Sequence, residues 1–89
     1  MRNDVHLPVL YKGMTEQDPA TILHWYVQDQ DVIQPDELLL RVETAPSIID
    51  IPQPFSTACQ IVKIHKGAGE TVHIGDLLVT LETADNPSS

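Results

Sequence analysis

Cysteine, aromatic residues and positive charge are all scarce in this chain of 89 residues. Its single cysteine, Cys59, excludes an internal disulfide and argues against a secreted, disulfide-stabilised scaffold. Aromatic residues make up only 4% of the sequence, so aliphatic side chains must supply most of the core. No apolar run is long enough to predict a membrane span, and the sequence begins without a signal-peptide pattern. We therefore expect a cytoplasmic protein with one domain.

The charge balance excludes some classes of partner. Thirteen acidic residues stand against five basic ones, which gives a formal net charge of −8. The basic residues form no stripe along the chain; they are Arg2, Lys12, Arg41, Lys63 and Lys66. Such a chain repels the phosphates of nucleic acids and of anionic membranes, so we expect neither as a partner. A basic patch on another protein would be attracted, although acidity more often serves solubility alone.

An internal repeat organises the sequence. Residues 22–45 align with residues 61–84 at a constant offset of 39 and without a gap. The identical pairs are Ile22/Ile61, Leu38/Leu77, Leu39/Leu78, Glu43/Glu82, Thr44/Thr83 and Ala45/Ala84. Similar tetrapeptides, 5–8 and 49–52, lead the two halves. Two copies are too few for a solenoid, so we expect them to close on each other as a pseudo-symmetric barrel or sandwich.

The hydrophobic pattern predicts strands, because apolar and polar residues alternate with a period of two. The predicted inward residues are Leu23, Trp25, Val27, Val62 and Ile64, and the predicted outward ones are Ile22, His24, Tyr26, Lys63 and His65. Seven prolines leave no stretch for a long helix. We therefore predict an all-β fold, a flattened barrel or sandwich of two antiparallel sheets related by a pseudo-two-fold axis (a barrel-sandwich hybrid).

A tight hairpin is predicted where strand 38–43 passes through residues 44–47 into strand 48–51. Pro46 fits the second position of a type I or II turn. In the second half, the equivalent of this passage is the exit from strand 77–82 and the N-terminal strand at 5–8. The pseudo-symmetry therefore predicts that the two chain ends lie side by side.

Several short motifs follow one another along residues 5–82. They are Val5-His6-Leu7-Pro8-Val9-Leu10, Gly13-Met14, Ala20 to Val27, Asp31 with Ile33, Glu37-Leu38-Leu39, Val42-Glu43-Thr44, Pro52-Gln53-Pro54-Phe55, and Gly69-Glu70-Thr71-Val72 with Gly75-Asp76-Leu77-Leu78. In this order they resemble the lipoyl domain of 2-oxo acid dehydrogenase complexes and, more distantly, the biotinyl carrier domain. We predict one lipoyl-like domain at 1–82 and a flexible tail at 83–89.

The resemblance implies a cofactor site at the hairpin, and the residues there do not fit it. In the family, a lysine between an acidic and a small residue follows Glu-Thr and is acylated on its ε-amine. The gap-free alignment places Ala45, Pro46 and Ser47 at these positions. Proline has no amine to acylate, and Ala45 stands where the acid would be. We therefore expect no cofactor, no catalytic residue and no metal site.

The leading functional hypothesis is a non-enzymatic protein-interaction module related to the acyltransferase component of 2-oxo acid dehydrogenase complexes. Its expected partner is a protein of such a complex. The alternative is a genuine lipoyl or biotinyl carrier domain, modified at Lys12, Lys63 or Lys66, although solvated surface lysines are the simpler interpretation. A fragment of a larger acyltransferase or biotin-dependent enzyme is also compatible with the sequence.

Other candidate sites carry weaker signals. Cys59 would need a neighbouring histidine to act as a nucleophile, and a lone cysteine in a β-sandwich is more often a small buried apolar residue. The four histidines have no metal-ligand spacing.

Overall fold

The structure is a computed structural model that describes residues 1–83, and within this range it consists of strands without a helix. The strands are β1 Arg2–His6, β2 Ala20–Trp25, β3 Val32–Ile33, β4 Leu38–Glu43, β5 Ile48–Pro52, β6 Cys59–Ile64, β7 Thr71–Val72 and β8 Leu77–Thr83. The predicted all-β class is confirmed. In the described residues no helix is long and apolar enough to cross a membrane.

The strands form two antiparallel sheets of four. The first sheet has the order β1-β8-β6-β3, and the second has the order β5-β4-β2-β7. Each position in one sheet has a counterpart in the other, with β8 matching β4 and β6 matching β2. This is the predicted pair of sheets related by a pseudo-two-fold axis.

The two sheets have register shifts at equivalent positions. In the second sheet, the register of β2 on β4 shifts between Ile22 and His24. In the first sheet, the register of β6 on β8 shifts between Ile61 and Lys63, which lie 39 residues further along the chain. A β-bulge therefore occupies the same place in each half.

The predicted inward face of β2 is wrong before the bulge in that strand. Ile22 is fully buried, whereas Leu23 is 39% exposed, opposite to the prediction. A bulge adds one residue to the strand, so the alternation changes phase where it occurs. Beyond it the prediction holds, since Val27 is buried and His24 and Tyr26 are exposed.

The bulge in β6 has a similar effect. Ile61 is fully buried before it, and Ile64 packs against the core after it, as predicted. Val62, predicted to point inward, is only half-buried, because it lies at the register shift. Lys63 is exposed as predicted, whereas His65 is half-buried.

The first strand lies earlier in the chain than predicted, at Arg2–His6 rather than 5–8. Asp4 pairs with Thr80 in β8, and Asp50 pairs with Arg41 in β4. Since Arg41 and Thr80 are 39 residues apart, Asp4 and Asp50 are counterparts, which shifts the predicted match of the two tetrapeptides by two residues. Pairing with β8 sets the position of β1, and similarity over four residues could not reveal it.

The ends of the described chain lie side by side, as predicted. The Thr83 amide donates a hydrogen bond of 2.8 Å to the Met1 carbonyl. Thr83, which the prediction assigned to the tail, is the last residue of β8. The rest of the predicted tail, 84–89, lies outside the described residues.

Part of the acidic charge stabilises turns. Five carboxylates each accept a hydrogen bond from the backbone N–H three residues earlier: Asp18, Asp31, Glu37, Glu70 and Asp76. The donor–acceptor distances run from 2.5 Å at Glu37 to 2.9 Å at Asp18 and Asp76. In each of these turns the backbone N–H of the acidic residue also donates to the carbonyl of the residue three positions earlier, so the side chain adds a second hydrogen bond across the turn. These acids therefore have a structural role that needs no basic partner.

Candidate functional site

The candidate site is the hairpin that joins β4 to β5. β4 ends at Glu43, β5 begins at Ile48, and residues 44–47 connect them. Ala45, Pro46 and Ser47 are all exposed at the tip. The structure thus places the three predicted residues together at the end of two paired strands.

Thr44 holds the hairpin closed. Its side chain is buried, with 6% exposed, and its hydroxyl donates a hydrogen bond of 2.7 Å to the Ser47 carbonyl. The same hydroxyl accepts the Ser47 N–H at 3.2 Å, and the Thr44 N–H donates to the Ser47 carbonyl at 2.8 Å. A threonine hydroxyl thereby accepts the N–H that a backbone carbonyl accepts in a regular turn.

This arrangement corrects the predicted place of the proline. Thr44 and Ser47 are the bonded residues, so Pro46 occupies the third position of the turn and not the second. Proline at the third position disfavours the helical conformation of the residue before it, which a type I turn requires. The Thr44 hydroxyl explains how the turn closes without that geometry.

The side chains of the tip contribute nothing to the hydrogen bonding of the turn. Among the described residues, the side chains of Ala45, Pro46 and Ser47 make no hydrogen bond, and Ser47 takes part only through its backbone. Positions 13–62 contain no lysine at all. The hairpin at 44–47 therefore contains no lysine.

A cluster of polar side chains lies on the outer face of the second sheet, beside the hairpin. Arg41 on β4 binds Asp50 on β5 through two hydrogen bonds, Nε to Oδ1 at 2.8 Å and Nη2 to Oδ2 at 3.2 Å. The Tyr26 hydroxyl donates to the same Oδ1 at 3.0 Å. The guanidinium carbon of Arg41 lies 6.0 Å from the centre of the Tyr26 ring, within cation–π range. The cluster thus links the two arms of the hairpin to each other and to Tyr26, the residue that follows β2.

These contacts change the ionisation of the cluster. The hydrogen bonds from Arg41, and then that from Tyr26, hold the pKa of Asp50 below its ordinary value, against partial desolvation. Partial desolvation and the hydrogen bond to Asp50 raise the pKa of Tyr26. Sequence patterns do not reveal this cluster, because it forms only when β4 and β5 pair and Tyr26, the residue after β2, lies beside them.

The three lysines occupy different environments. Lys12 is exposed at the second position of a turn closed by the Met14 N–H and the Tyr11 carbonyl at 3.1 Å, with Gly13 at a φ of +90°. Lys63 is exposed within β6. Lys66 is half-buried, and its carbonyl accepts the indole N–H of Trp25 at 2.7 Å. Lys12 alone among them projects from the corner of a closed β-turn.

Cys59 is buried in the core, with 1% exposed, and burial raises the pKa of its thiol. Both properties oppose a role as nucleophile and fit the predicted apolar role. Within residues 1–83, no group of three or more histidine, cysteine or acidic side chains is arranged to hold a metal ion.

Comparison with known proteins identifies a matching family and several similar sequences. Residues 3–81 match the family model described as biotin-requiring enzyme. Over 85 residues, 96% of this chain, the sequence is 29% identical to the dihydrolipoyllysine-residue acetyltransferase component of the pyruvate dehydrogenase complex from Staphylococcus aureus (strain Mu50 / ATCC 700699). It is 28% identical to the same component from Staphylococcus epidermidis over the same length. The chain spans only 19% and 18% of these two relatives.

A solved structure has the same fold. The solution structure of the lipoyl domain of the 2-oxoglutarate dehydrogenase complex from Azotobacter vinelandii superposes with a TM-score of 0.72 and 24% sequence identity. The match covers 92% of this chain and 98% of that domain. The two sheets therefore form the barrel-sandwich of lipoyl domains.

We predict that Thr44→Val lowers the free energy of unfolding by about 1–2 kcal/mol, because it removes the acceptor of the part-buried hydrogen bond from the Ser47 N–H. Ser47→Ala is the matched control and should change stability by less than about 0.5 kcal/mol, since only the Ser47 backbone is bonded. Urea unfolding followed by circular dichroism measures both. Equal losses in the two variants would contradict the role assigned to the Thr44 hydroxyl.

We also predict a contribution of Asp50 to acid stability. Its pKa is lowered on folding, so the Arg41 pair stabilises the fold above the ordinary carboxyl pKa of about 3.9 and loses this effect as the pH falls through the lowered value. Thermal midpoints measured from about pH 2 to pH 6 should therefore fall more steeply in the native protein than in Asp50→Asn. Glu43→Gln, which removes a carboxylate without an ion pair among the described residues, should keep the native slope. Identical slopes for native protein and Asp50→Asn would refute the assignment.

Proposed function

The chain belongs to the biotin-requiring enzyme family, and we propose that it is a lipoyl-like member whose hairpin tip carries no cofactor and serves as a protein-interaction surface. The observation that carries this proposal is the closed hairpin at 44–47 inside a stretch, 13–62, that contains no lysine. The names of the Staphylococcus relatives refer to a dihydrolipoyllysine residue. At the tip of this chain, the ring of Pro46 stands where we align that lysine.

The well-bonded turn of the hairpin supports a change of function at the tip better than a loss of function without replacement. Thr44 is buried and makes both side-chain hydrogen bonds that close the turn. The Arg41–Asp50 pair braces the arms behind it. A hairpin that had lost all use would have no need of a buried polar side chain, which costs stability unless it is fully bonded.

The tip favours binding over catalysis. The Ser47 hydroxyl is the nucleophilic group nearest the apex, and no general base is bonded to it among the described residues. Ala45, Pro46 and Ile48, which is 57% exposed, make the surface small and apolar. A rigid apolar tip loses little conformational entropy on contact with a partner. We propose a non-enzymatic cytoplasmic module whose partner is a protein component of a 2-oxo acid dehydrogenase complex.

A rescue experiment tests the loss of the carrier site. The variant Ala45→Asp, Pro46→Lys, Ser47→Ala restores the acidic–lysine–small pattern, and it keeps the turn because Ser47 is bonded only through its backbone. On incubation with a lipoate ligase, lipoate and ATP, we expect intact-mass spectrometry to detect one added lipoyl group on the variant, mapped to position 46, and none on the native protein. The control Ala45→Asp, Pro46→Ala, Ser47→Ala should stay unmodified.

The native protein is the decisive arm of this experiment. A lipoyl or biotinyl group on it would overturn the cofactor-free proposal.

The specific observation that favours a second candidate, an atypical carrier, is the position of Lys12 at the corner of a closed β-turn. Under that candidate the added mass maps to Lys12 and disappears in Lys12→Arg, whereas Lys63→Arg leaves it unchanged.

Interaction is tested by titrating the labelled protein with each purified component of a 2-oxo acid dehydrogenase complex. We expect amide shifts in NMR spectra to concentrate at residues 43–48, and Pro46→Glu to weaken binding at least about ten-fold by placing a charge in an apolar contact. Gln60→Glu, a charge change on the other sheet, should leave the affinity unchanged. Binding that is insensitive to Pro46→Glu, or no binding to any component, would count against the proposal.

A further inference from the structure

A chain of three side chains crosses the outer face of the first sheet. The Thr80 hydroxyl on β8 donates a hydrogen bond of 2.8 Å to Oδ1 of Asp4 on β1. Nε2 of His65, just after β6, lies 2.8 Å from the same hydroxyl oxygen. We infer that Asp4, Thr80 and His65 form a clip that holds the edge strand β1 to the sheet, with the imidazole proton of His65 held on Nε2.

The position of the proton follows from counting donors. A threonine hydroxyl has one hydrogen and two lone pairs, and a carboxylate can only accept. The hydrogen of Thr80 is therefore used on Asp4, and its oxygen is left as an acceptor towards His65. Nε2 must then supply the second hydrogen, which fixes the neutral ring as the Nε2–H tautomer.

The second sheet has a cluster at the equivalent positions, built from different side chains. The counterparts of Asp4, Thr80 and His65 are Asp50, Arg41 and Tyr26. Strands two apart are separated by about 9.6 Å, which a tyrosine crosses to reach Asp50 directly. The imidazole is shorter, so in the first sheet the Thr80 hydroxyl serves as the link between ring and carboxylate.

The clip matters because β1 lies at the edge of its sheet and no short turn joins it to its partner strand β8. β1 is an edge strand and pairs with β8 alone in the described part of the chain. A long connection, 7–19, separates it from β2, whereas its counterpart β5 follows β4 through the tight hairpin. Thr80 is 8% exposed, so the central hydrogen bonds are largely shielded from competing water. The side-chain clip thus supplies to β1 an attachment that the short covalent turn gives to β5.

Hydrogen exchange of backbone amides, followed by NMR, tests the clip. Thr80→Val removes the hydroxyl while keeping the branched shape, and we expect amides of Arg2–His6 to exchange roughly three- to ten-fold faster, as for the loss of one hydrogen bond. Amides of Ile48–Pro52 in the other sheet should keep their rates. Unchanged protection of β1, or equal acceleration in both strands, would overturn the inference.

A second pair of variants tests the ring and does not depend on the folding of Thr80→Val. His65→Gln keeps an N–H donor and should retain native exchange in β1, whereas His65→Phe keeps a ring without a donor and should accelerate exchange, but less than Thr80→Val does, because the bond from Thr80 to Asp4 remains. Thr21→Val, whose hydroxyl has no hydrogen bond among the described residues, is the matched threonine control. Long-range ¹H–¹⁵N spectra of histidine-labelled protein should find the neutral ring of His65 protonated on Nε2. A proton on Nδ1 would refute the assigned direction of the hydrogen bonds.

Discussion

Burial of the inner faces of β4 and β8 is the constraint on which the rest of the structure depends. Side chains 39 positions apart fill the core from opposite sheets, each with no exposed surface: Leu39 and Leu78, Leu40 and Val79, Val42 and Leu81. Each side chain buried in this way contributes about 1.5–3 kcal/mol. Two neighbouring residues of each central strand point inward together, and the shifts in register towards the edge strands β5 and β1 accommodate them. The bulges therefore follow from filling one core from two similar halves.

The fold class and the pairing of halves could be predicted from the sequence, because alternation and the offset of 39 are both local patterns. The residues facing the core in β2 could not all be predicted. Alternation gives one inward face for an unbroken strand, and the bulge at Leu23 moves Ile22 into the core while Leu23 turns outward. A bulge is a relation between two strands, so one strand's pattern does not reveal it. The position of β1 depends on β8 in the same way.

The candidate site was predictable in place but not in mechanism. The order of motifs located the hairpin and its tip, and the structure has Ala45, Pro46 and Ser47 there. The sequence did not reveal how the turn is closed, since the Thr44 hydroxyl hydrogen-bonds to the backbone of Ser47 only once the turn has formed. The Arg41–Asp50–Tyr26 cluster was also hidden, because it depends on the pairing of β4 with β5 and on Tyr26, which lies 24 residues from Asp50 in the sequence. The sequence thus locates a turn more readily than the contacts that stabilise it.

The bonding of the hairpin separates the chemistry of its apex from the stability of the domain. Thr44 and the backbone of Ser47 close the turn, and no side chain at the apex takes part. Replacement of an apical residue by one of quite different reactivity therefore leaves every stabilising contact of the hairpin in place. Selection on what the apex binds or carries can then act without a penalty in folding. A scaffold of this kind allows the group at its apex to be exchanged in a single substitution while the contacts that close the turn are kept.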